Sequence, residues 1–192
     1  MLNDQYLNQW KYAIDRTRKF GLSVDVGLDD VVEDRYLSKK SIEELPYVVR
    51  RNCGNIGPEE LVGQCMSIHH RLAPVISDWL KCDAVFTLGW IEYENEKLFK
   101  FDEDFIKKTL KDGHDSSQLN IHAWIALPSM EIIDFSLSTT FGFVKKRKEM
   151  FGGVIASHAD ELKGIKYRPM LVGEDYLRKT GVFVEFQFIQ FD

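Results

Sequence analysis

The stretch that decides the fold runs over residues 120–137, NIHAWIALPSMEIIDFSL. Two apolar runs rich in β-branched residues flank Pro128-Ser129. That pattern predicts two antiparallel strands, 119–127 and 130–137, joined by a tight turn. Inside them sit two residues that an apolar strand does not favour, His122 and Asp134. An aspartate among Ile132, Ile133 and Phe135 would be partly buried and needs a partner for its charge. If the turn has an odd number of residues, even-numbered positions on both strands share a face. With Pro128-Ser129-Met130 as the turn, Trp124 faces Asp134 and His122 lies diagonally from it, within side-chain reach. Other odd turns place His122 and Asp134 directly opposite. Taken alone, such a pair is as readily a satisfied buried ion pair as a catalytic one.

Outward from this stretch the two-residue period recurs. DAVFTLGWIEY (83–93) alternates as a strand, and KLFKF (97–101) is its hairpin partner across Glu94-Asn95-Glu96. KYRPMLV (166–172) and VFVEFQFIQF (182–191) read as later strands, with a short helix at 174–179 between them. Helical spacing governs the first half. Leu7, Trp10, Ile14 and Phe20 predict an amphipathic first helix. Ser41-Ile-Glu-Glu predicts a short capped helix, and Pro58 a brief one. Residues 65–81, CMSIHHRLAPVISDWLK, predict a second long helix with an apolar stripe through Leu72, Val75, Ile76, Trp79 and Leu80. Pro74 should kink it or break it in two. Asp102–Asp112 is a further helix with Gly113 as its stop. Helices first and antiparallel strands later make the class α+β.

The 192 residues carry 44% hydrophobic side chains and show neither a repeat nor a low-complexity linker, so one domain, 1–192, with a sizeable core is expected. A net charge of −5 argues against nonspecific nucleic-acid binding. The one basic cluster, Lys145-Lys146-Arg147-Lys148, reads as a solvated helix face. No signal-peptide pattern and no apolar run of about 18 residues predict a cytoplasmic protein that makes no membrane contact, with export by a signal-less route as the alternative. No HExxH or compact ligand spacing appears among the five histidines, so neither a metal nor another cofactor is expected. The acidic positions 29, 30, 33 and 34 lack the spacing of a calcium loop.

Three cysteines, Cys53, Cys65 and Cys82, cannot all pair within one chain, and none forms a CxxC. Cys65 follows a glycine-containing loop and opens the second long helix. The helix dipole there lowers a thiol pKa, and first-turn N–H groups face any oxyanion formed beside it. The plainer reading is a buried small apolar residue, the common fate of a free cysteine. A nucleophilic cysteine needs a base, and the base needs an orienting partner. His69, four residues on, could reach the sulfur, whereas His114 and His158 read as solvated loop residues. His122, with Asp134 on the next strand, completes an order Cys…His…Asp.

Gly63-Gln64-Cys65 at a helix start resembles the GQC of transglutaminases. Asn120-Ile121-His122-Ala123-Trp124 resembles their His-x-Trp strand, and Ile133-Asp134-Phe135-Ser136 the strand bearing their aspartate. The resemblance covers about residues 60–137. It implies the transglutaminase-like branch of the papain-like superfamily, with a Cys-bearing helix packed on an antiparallel sheet that carries the His and the Asp. It implies Cys65 as nucleophile, His122 as base and then acid, and Asp134 as orienter. The function implied is cysteine-dependent acyl transfer on a protein, peptide or other amide substrate, by a protease, amidase, deamidase or transglutaminase. Two departures stand out. Met66 occupies the place of the family's aromatic, and the only upstream tryptophan, Trp10, is too distant to be the oxyanion donor. Gln64, Asn55 and Tyr47 are the candidate donors, and Trp124 is a candidate substrate contact. The rival function is an inactive binding module of the same scaffold, with Trp90, Tyr93 and Trp124 lining a partner groove.

Overall fold

In the computed structural model, residues 5–24, 26–27, 31–54, 56–115 and 120–183 are described. Six antiparallel strands form one sheet: β1 (Val85–Tyr93), β2 (Glu96–Leu98), β3 (His122–Ala126), β4 (Glu131–Asp134), β5 (Ile155–His158) and β6 (Ile165–Val172). β1 is its spine. One edge of β1 pairs with β6, while the other pairs with β3 over Val85–Gly89 and with β2 over Ile91–Tyr93. β3 then passes the ladder to β4, and β4 to β5. The β1–β2 hairpin turns on two residues, Glu94 and Asn95, rather than the expected three. Both have positive φ, as the mirror-image turns that match strand twist require.

Helices cover both faces, and alternation along the strands decides which residue meets which layer. Helix α1 (Tyr6–Lys19) buries Tyr6, Trp10, Ala13 and Ile14 at helical spacing. They pack in one cluster with Val85, Ile91, Trp124, Ala126, Ile132 and Tyr167. On the other face, helix α4 (Cys65–Leu80) sets Ile68, Leu72 and Ile76 against Phe86, Leu88, Ala123, Ile125 and Ile133. The chain is therefore α+β, with the antiparallel sheet between helical layers.

Several expectations change in detail. Helix α4 runs unbroken through Pro74. A proline there removes one ladder hydrogen bond, and the buried stripe on both sides of it outweighs that loss. Helix α2 spans Lys39–Cys53, longer than the short helix read from Ser41, because Ser38 is the N-cap. Its hydroxyl takes the Ser41 N–H while Ser41 reaches back, a reciprocal capping box with serine in the usual glutamate place. Helix α3 is the brief Pro58–Leu61 turn, and α5 spans Glu103–Asp112, with Asp102, expected as its first residue, serving instead as the N-cap.

The strand around Asp134 ends earlier than 137, and helix α6 (Leu137–Val144) follows at once. The basic cluster 145–148 is no helix face. Residues 145–147 form the exposed stretch after α6, with Lys146 at φ 55°, and Lys148 opens a single 3₁₀ turn, Lys148–Met150. Helix α7 covers Asp175–Lys179. The closing strand expected over 182–191 lies, from 184 onward, outside the described residues, as do positions 29 and 30. Among the described residues, no helix is long and apolar enough to cross a membrane.

Candidate active site

β3 begins at His122 and β4 ends at Asp134. As antiparallel neighbours they bring both residues to one end of the sheet. Leu127 N–H donates to Glu131 O at 2.8 Å and Met130 N–H to Leu127 O at 2.9 Å, which closes a three-residue turn over 128–130. Met130 takes the left-handed conformation such a turn needs, φ 61°. The register Ile125 to Ile133 and Ala126 to Ile132 follows. Continued, it sets Trp124 across from Asp134 and His122 one step beyond, on the diagonal. The third residue arrives from the opposite layer. Cys65 is the first residue of α4, which packs against β3, and its thiol donates to Ile121 O at 3.7 Å, beside His122.

Asp134 is wholly buried and saturated with donors. Its Oδ2 accepts from His122 Nε2 at 2.6 Å and from the Tyr167 hydroxyl at 2.9 Å. Its Oδ1 accepts from the N–H groups of Ser136 at 2.9 Å and Leu137 at 3.0 Å, and from the Ser136 hydroxyl at 3.2 Å. Those two backbone bonds explain why β4 stops here. The carboxylate captures N–H groups that a longer strand would have given to its neighbour, and turns the chain into α6.

His122 has only two ring nitrogens. Nε2 serves Asp134, which leaves Nδ1, and Cys65, whose thiol meets the adjoining Ile121 carbonyl, lies near enough to act on the ring. Burial alone would push this imidazole toward its neutral form. The Asp134 charge and hydrogen bond, with Cys65 adding to them, outweigh it and lift the His122 pKa to about 10. Burial likewise works against the Asp134 carboxylate. The His122 charge and hydrogen bond prevail and hold it well below its ordinary value. The stable state near neutrality is therefore imidazolium beside carboxylate. Of the three residues the thiol is the least covered, Cys65 being 9% exposed and His122 only 1%.

Aromatic rings enclose the pair. Phe99 stacks on His122 at 5.1 Å between centroids and 22° between planes, and Trp124 lies nearly parallel to it at 6.1 Å. Such faces favour a cationic ring. Trp124 is fully buried and its Nε1 donates to the Tyr6 hydroxyl at 2.8 Å, so it supports His122 from below instead of lining a substrate surface. Gly89, the residue of β1 opposite His122, leaves room for the Trp124 ring and the Arg168 carbonyl. A Cβ there would lie 2.5 Å from the Trp124 ring and 2.2 Å from Arg168 O.

His69 does not reach the sulfur, as its position on the helix had suggested it could. Its Nδ1 lies 2.6 Å from the backbone carbonyl of Cys65, and its Nε2 accepts the Phe135 N–H at 2.9 Å. The carbonyl requires a proton on Nδ1 and the amide requires a lone pair on Nε2. The ring is therefore the neutral Nδ1–H tautomer. Its Nε2 also comes within 3.4 Å of Asp134 Oδ1, but with its lone pair engaged it offers that oxygen no proton.

The other expected residues are dispersed. Gln64 is the exposed N-cap residue of α4, beside the thiol, with Oε1 taking the Ser67 hydroxyl at 3.3 Å. Asn55 lies outside the described residues. Tyr47 projects from α2 into solvent, 69% exposed. Trp10 is buried in the α1 layer. Contrary to the solvated reading, the His114 ring carries a buried Nδ1 with no partner among the described residues, while His158 Nδ1 accepts the Asp160 N–H at 3.2 Å. His70 pairs with Glu174. Cys82 is half-buried, and burial together with Asp83 and Glu131 raises its thiol pKa to about 11. Among the described residues, no three His, Cys, Asp or Glu side chains gather as a metal site. A cavity of about 930 Å³ runs along α4 away from its N-terminus, between His70, Pro74, Phe86 and Arg178, and includes none of Cys65, His122 and Asp134.

Sequence reasoning passed over Tyr167, Ser136, Phe99 and Tyr6. Only Tyr167 left a trace, as a tyrosine on an inward strand position whose hydroxyl would need a buried partner. Compared with known protein families, with curated proteins and with solved structures, the chain finds no match.

Proposed function

We propose that this chain is a cysteine-dependent acyl-transfer enzyme, built on the transglutaminase-like variant of the papain-like core, that acts on an amide of a protein or peptide. One observation carries the reading. A buried thiol at the start of a helix donates to the carbonyl of Ile121, next to a buried histidine whose Nε2 is held at 2.6 Å by a buried aspartate.

The chemistry follows from that order. The attacking form is the Cys65 thiolate beside protonated His122, which needs no further base. The new C–S bond sends the carbonyl π electrons onto oxygen. The Cys65 N–H belongs to the first turn of α4, whose donors have no partner within the helix, and it faces that oxyanion. Gln64 is the side chain placed to join it. His122 then gives its Nδ1 proton to the departing amine as the C–N bond breaks, leaving a thioester on Cys65. Water or a second amine attacks the thioester and gives His122 a proton, and the thiolate leaves. Asp134 keeps its negative charge throughout and holds the ring in register.

A second reading, a binding module that turns nothing over, draws on the burial of His122 and Cys65. Iodoacetamide labelling between about pH 5 and pH 9, with mapping of the modified cysteines, separates the two. Cys65 should react first and at lower pH than Cys53 or Cys82, and His122→Ala should erase its lead. Three thiols reacting alike would sink the catalytic reading. Glutamine peptides with and without a primary amine would then tell transamidation from hydrolysis.

A further inference from the structure

His69 occupies a core position of α4, between Ile68 and Leu72, and is completely buried. An apolar side chain fills such a position at no polar cost, whereas a buried imidazole must satisfy both nitrogens. His69 does so entirely with backbone, and with two particular groups. One is the carbonyl of Cys65, 2.6 Å away. The other is the N–H of Phe135, 2.9 Å away, in the residue that follows Asp134. Phe135 also packs against the ring, with centroids 5.7 Å apart. The thiol comes from the α4 layer and the carboxylate from the end of β4, and no covalent path shorter than 69 residues joins them. Among the described residues, His69 is the side chain that hydrogen-bonds to the backbone of both segments.

We infer that His69 is a positioning residue of the proposed reaction: a neutral imidazole that locks the first residue of α4 to the end of β4, and so sets the distance from the Cys65 thiol to the His122–Asp134 pair. This rests on the acyl-transfer reading above. The ring touches no reacting atom. It holds the backbone of the nucleophile on one side and the backbone beside the orienter on the other. A shift of α4 against β4 by about 1 Å would loosen the thiol–imidazole contact and cost on the order of 100-fold in reactivity.

Two variants test this. His69→Phe keeps a ring in the core and removes both hydrogen bonds. His69→Gln retains an acceptor for the Phe135 N–H. The readout is the pH profile of Cys65 alkylation, accompanied by kcat and KM for whichever amide the wild type turns over. For His69→Phe, alkylation near pH 6.5 should fall about 10- to 100-fold and its profile should move up toward that of an ordinary thiol, with KM little changed. His69→Gln should recover part of the loss. A folded His69→Phe protein with the wild-type profile overturns the inference. If His69→Phe does not fold, His69→Gln decides: an intermediate profile supports the lock and an unchanged one overturns it. Wild-type Cys65 without a His122-dependent profile would fell the acyl-transfer reading and this inference with it. A normal wild-type profile that both His69 variants retain fells the inference alone.

Discussion

Among the described residues, the histidine–carboxylate pairs His122–Asp134 and His70–Glu174 have similar composition and opposite character. His122 and Asp134 sit at the end of the sheet with side chains 2% and 0% exposed. His70 and Glu174 meet near the surface, each 36% exposed. Glu174 is shared with Arg178, whose Nε donates to it at 2.9 Å, and water reaches all three groups. There the field of one charge on another is screened, and the contact acts as a latch between α4 and the segment before α7. At the buried pair nothing screens it. The attraction outweighs desolvation on both sides, and the histidine stays charged well above neutrality. In the proposed reaction a thiol as the third partner would turn a stored charge into reactivity; His70 has the rings of Phe86 and Phe183 beside it instead. Residue types alone therefore do not distinguish a site from a latch. Burial and the third partner do.

The largest effect should come from breaking the buried pair without changing its shape. Asp134→Asn keeps the side-chain volume and removes the charge that holds the imidazolium. Removing one partner of a buried pair costs about 3 kcal/mol or more, and loss of the orienting carboxylate in a triad lowers turnover about 10⁴-fold. Urea unfolding reads the first and steady-state kinetics the second. A variant within about 0.5 kcal/mol of wild type, with activity intact, would mean that burial does not set this pair apart from His70–Glu174.

Why this contrast was only half legible in the sequence is a matter of range. The hairpin of residues 120–137 is local, and alternation with an odd turn was enough to put His122 and Asp134 on one face; the three-residue turn of the structure selects the diagonal over the directly opposite arrangement. Cys65 at a helix start was likewise readable from Gly63 and the apolar stripe that follows. Capping was less visible, because Ser38 uses another serine where glutamate is the usual signal. Nothing local announced the partners of Tyr167 or His69. Tyr167 reaches Asp134 from 33 positions downstream, and His69 reaches Phe135 from 66 positions upstream. Each depends on how layers stack, which periodicity does not encode. The same holds for Trp124. Its motif position suggested a substrate contact, and only the packing of α1, which brings Tyr6 to its Nε1, shows it to be an internal support.

The next effect is a pH dependence that only the buried pair should supply. His122 has a folded pKa of about 10 against 6.5 when free, so its contribution to stability is complete below pH 6.5 and is lost as the pH rises through 10. Asp134 behaves in the opposite sense. Its pKa is held below 3.8, so its contribution is present above that value and is lost as the medium becomes more acid. Stability should therefore plateau between about pH 4 and pH 6.5 and fall on either side. In His122→Gln the alkaline limb should flatten, with the Tm difference between pH 6.5 and pH 10 shrinking by about 5 °C or more. An alkaline limb of unchanged depth would show that another group produces it.

Tyr167→Phe should have a smaller effect. It deletes one donor to Asp134 Oδ2 and leaves His122, Ser136 and Leu137 in place. A hydrogen bond to a buried carboxylate is worth about 1.5–3 kcal/mol, and the aromatic contact with Trp124 survives the change. Stability should drop within that range. Cys65 alkylation should retain its dependence on His122, because the ring keeps its bond to the carboxylate.

The smallest effect belongs to the surface pair and closes the contrast. Glu174→Gln removes the charge facing His70 and Arg178, yet both side chains remain hydrated, and the amide oxygen can still accept from either of them. Exposed pairs of this kind contribute between 0 and about 1 kcal/mol, and what they contribute is weakened by salt. The Tm should shift by no more than about 3 °C at low ionic strength and by less in salt, with the Cys65 labelling profile unchanged. A loss as large as that of Asp134→Asn would show that the latch bears load comparable to the buried pair. Exposure would then no longer explain why one histidine–carboxylate contact organises a thiol and the other only joins two elements.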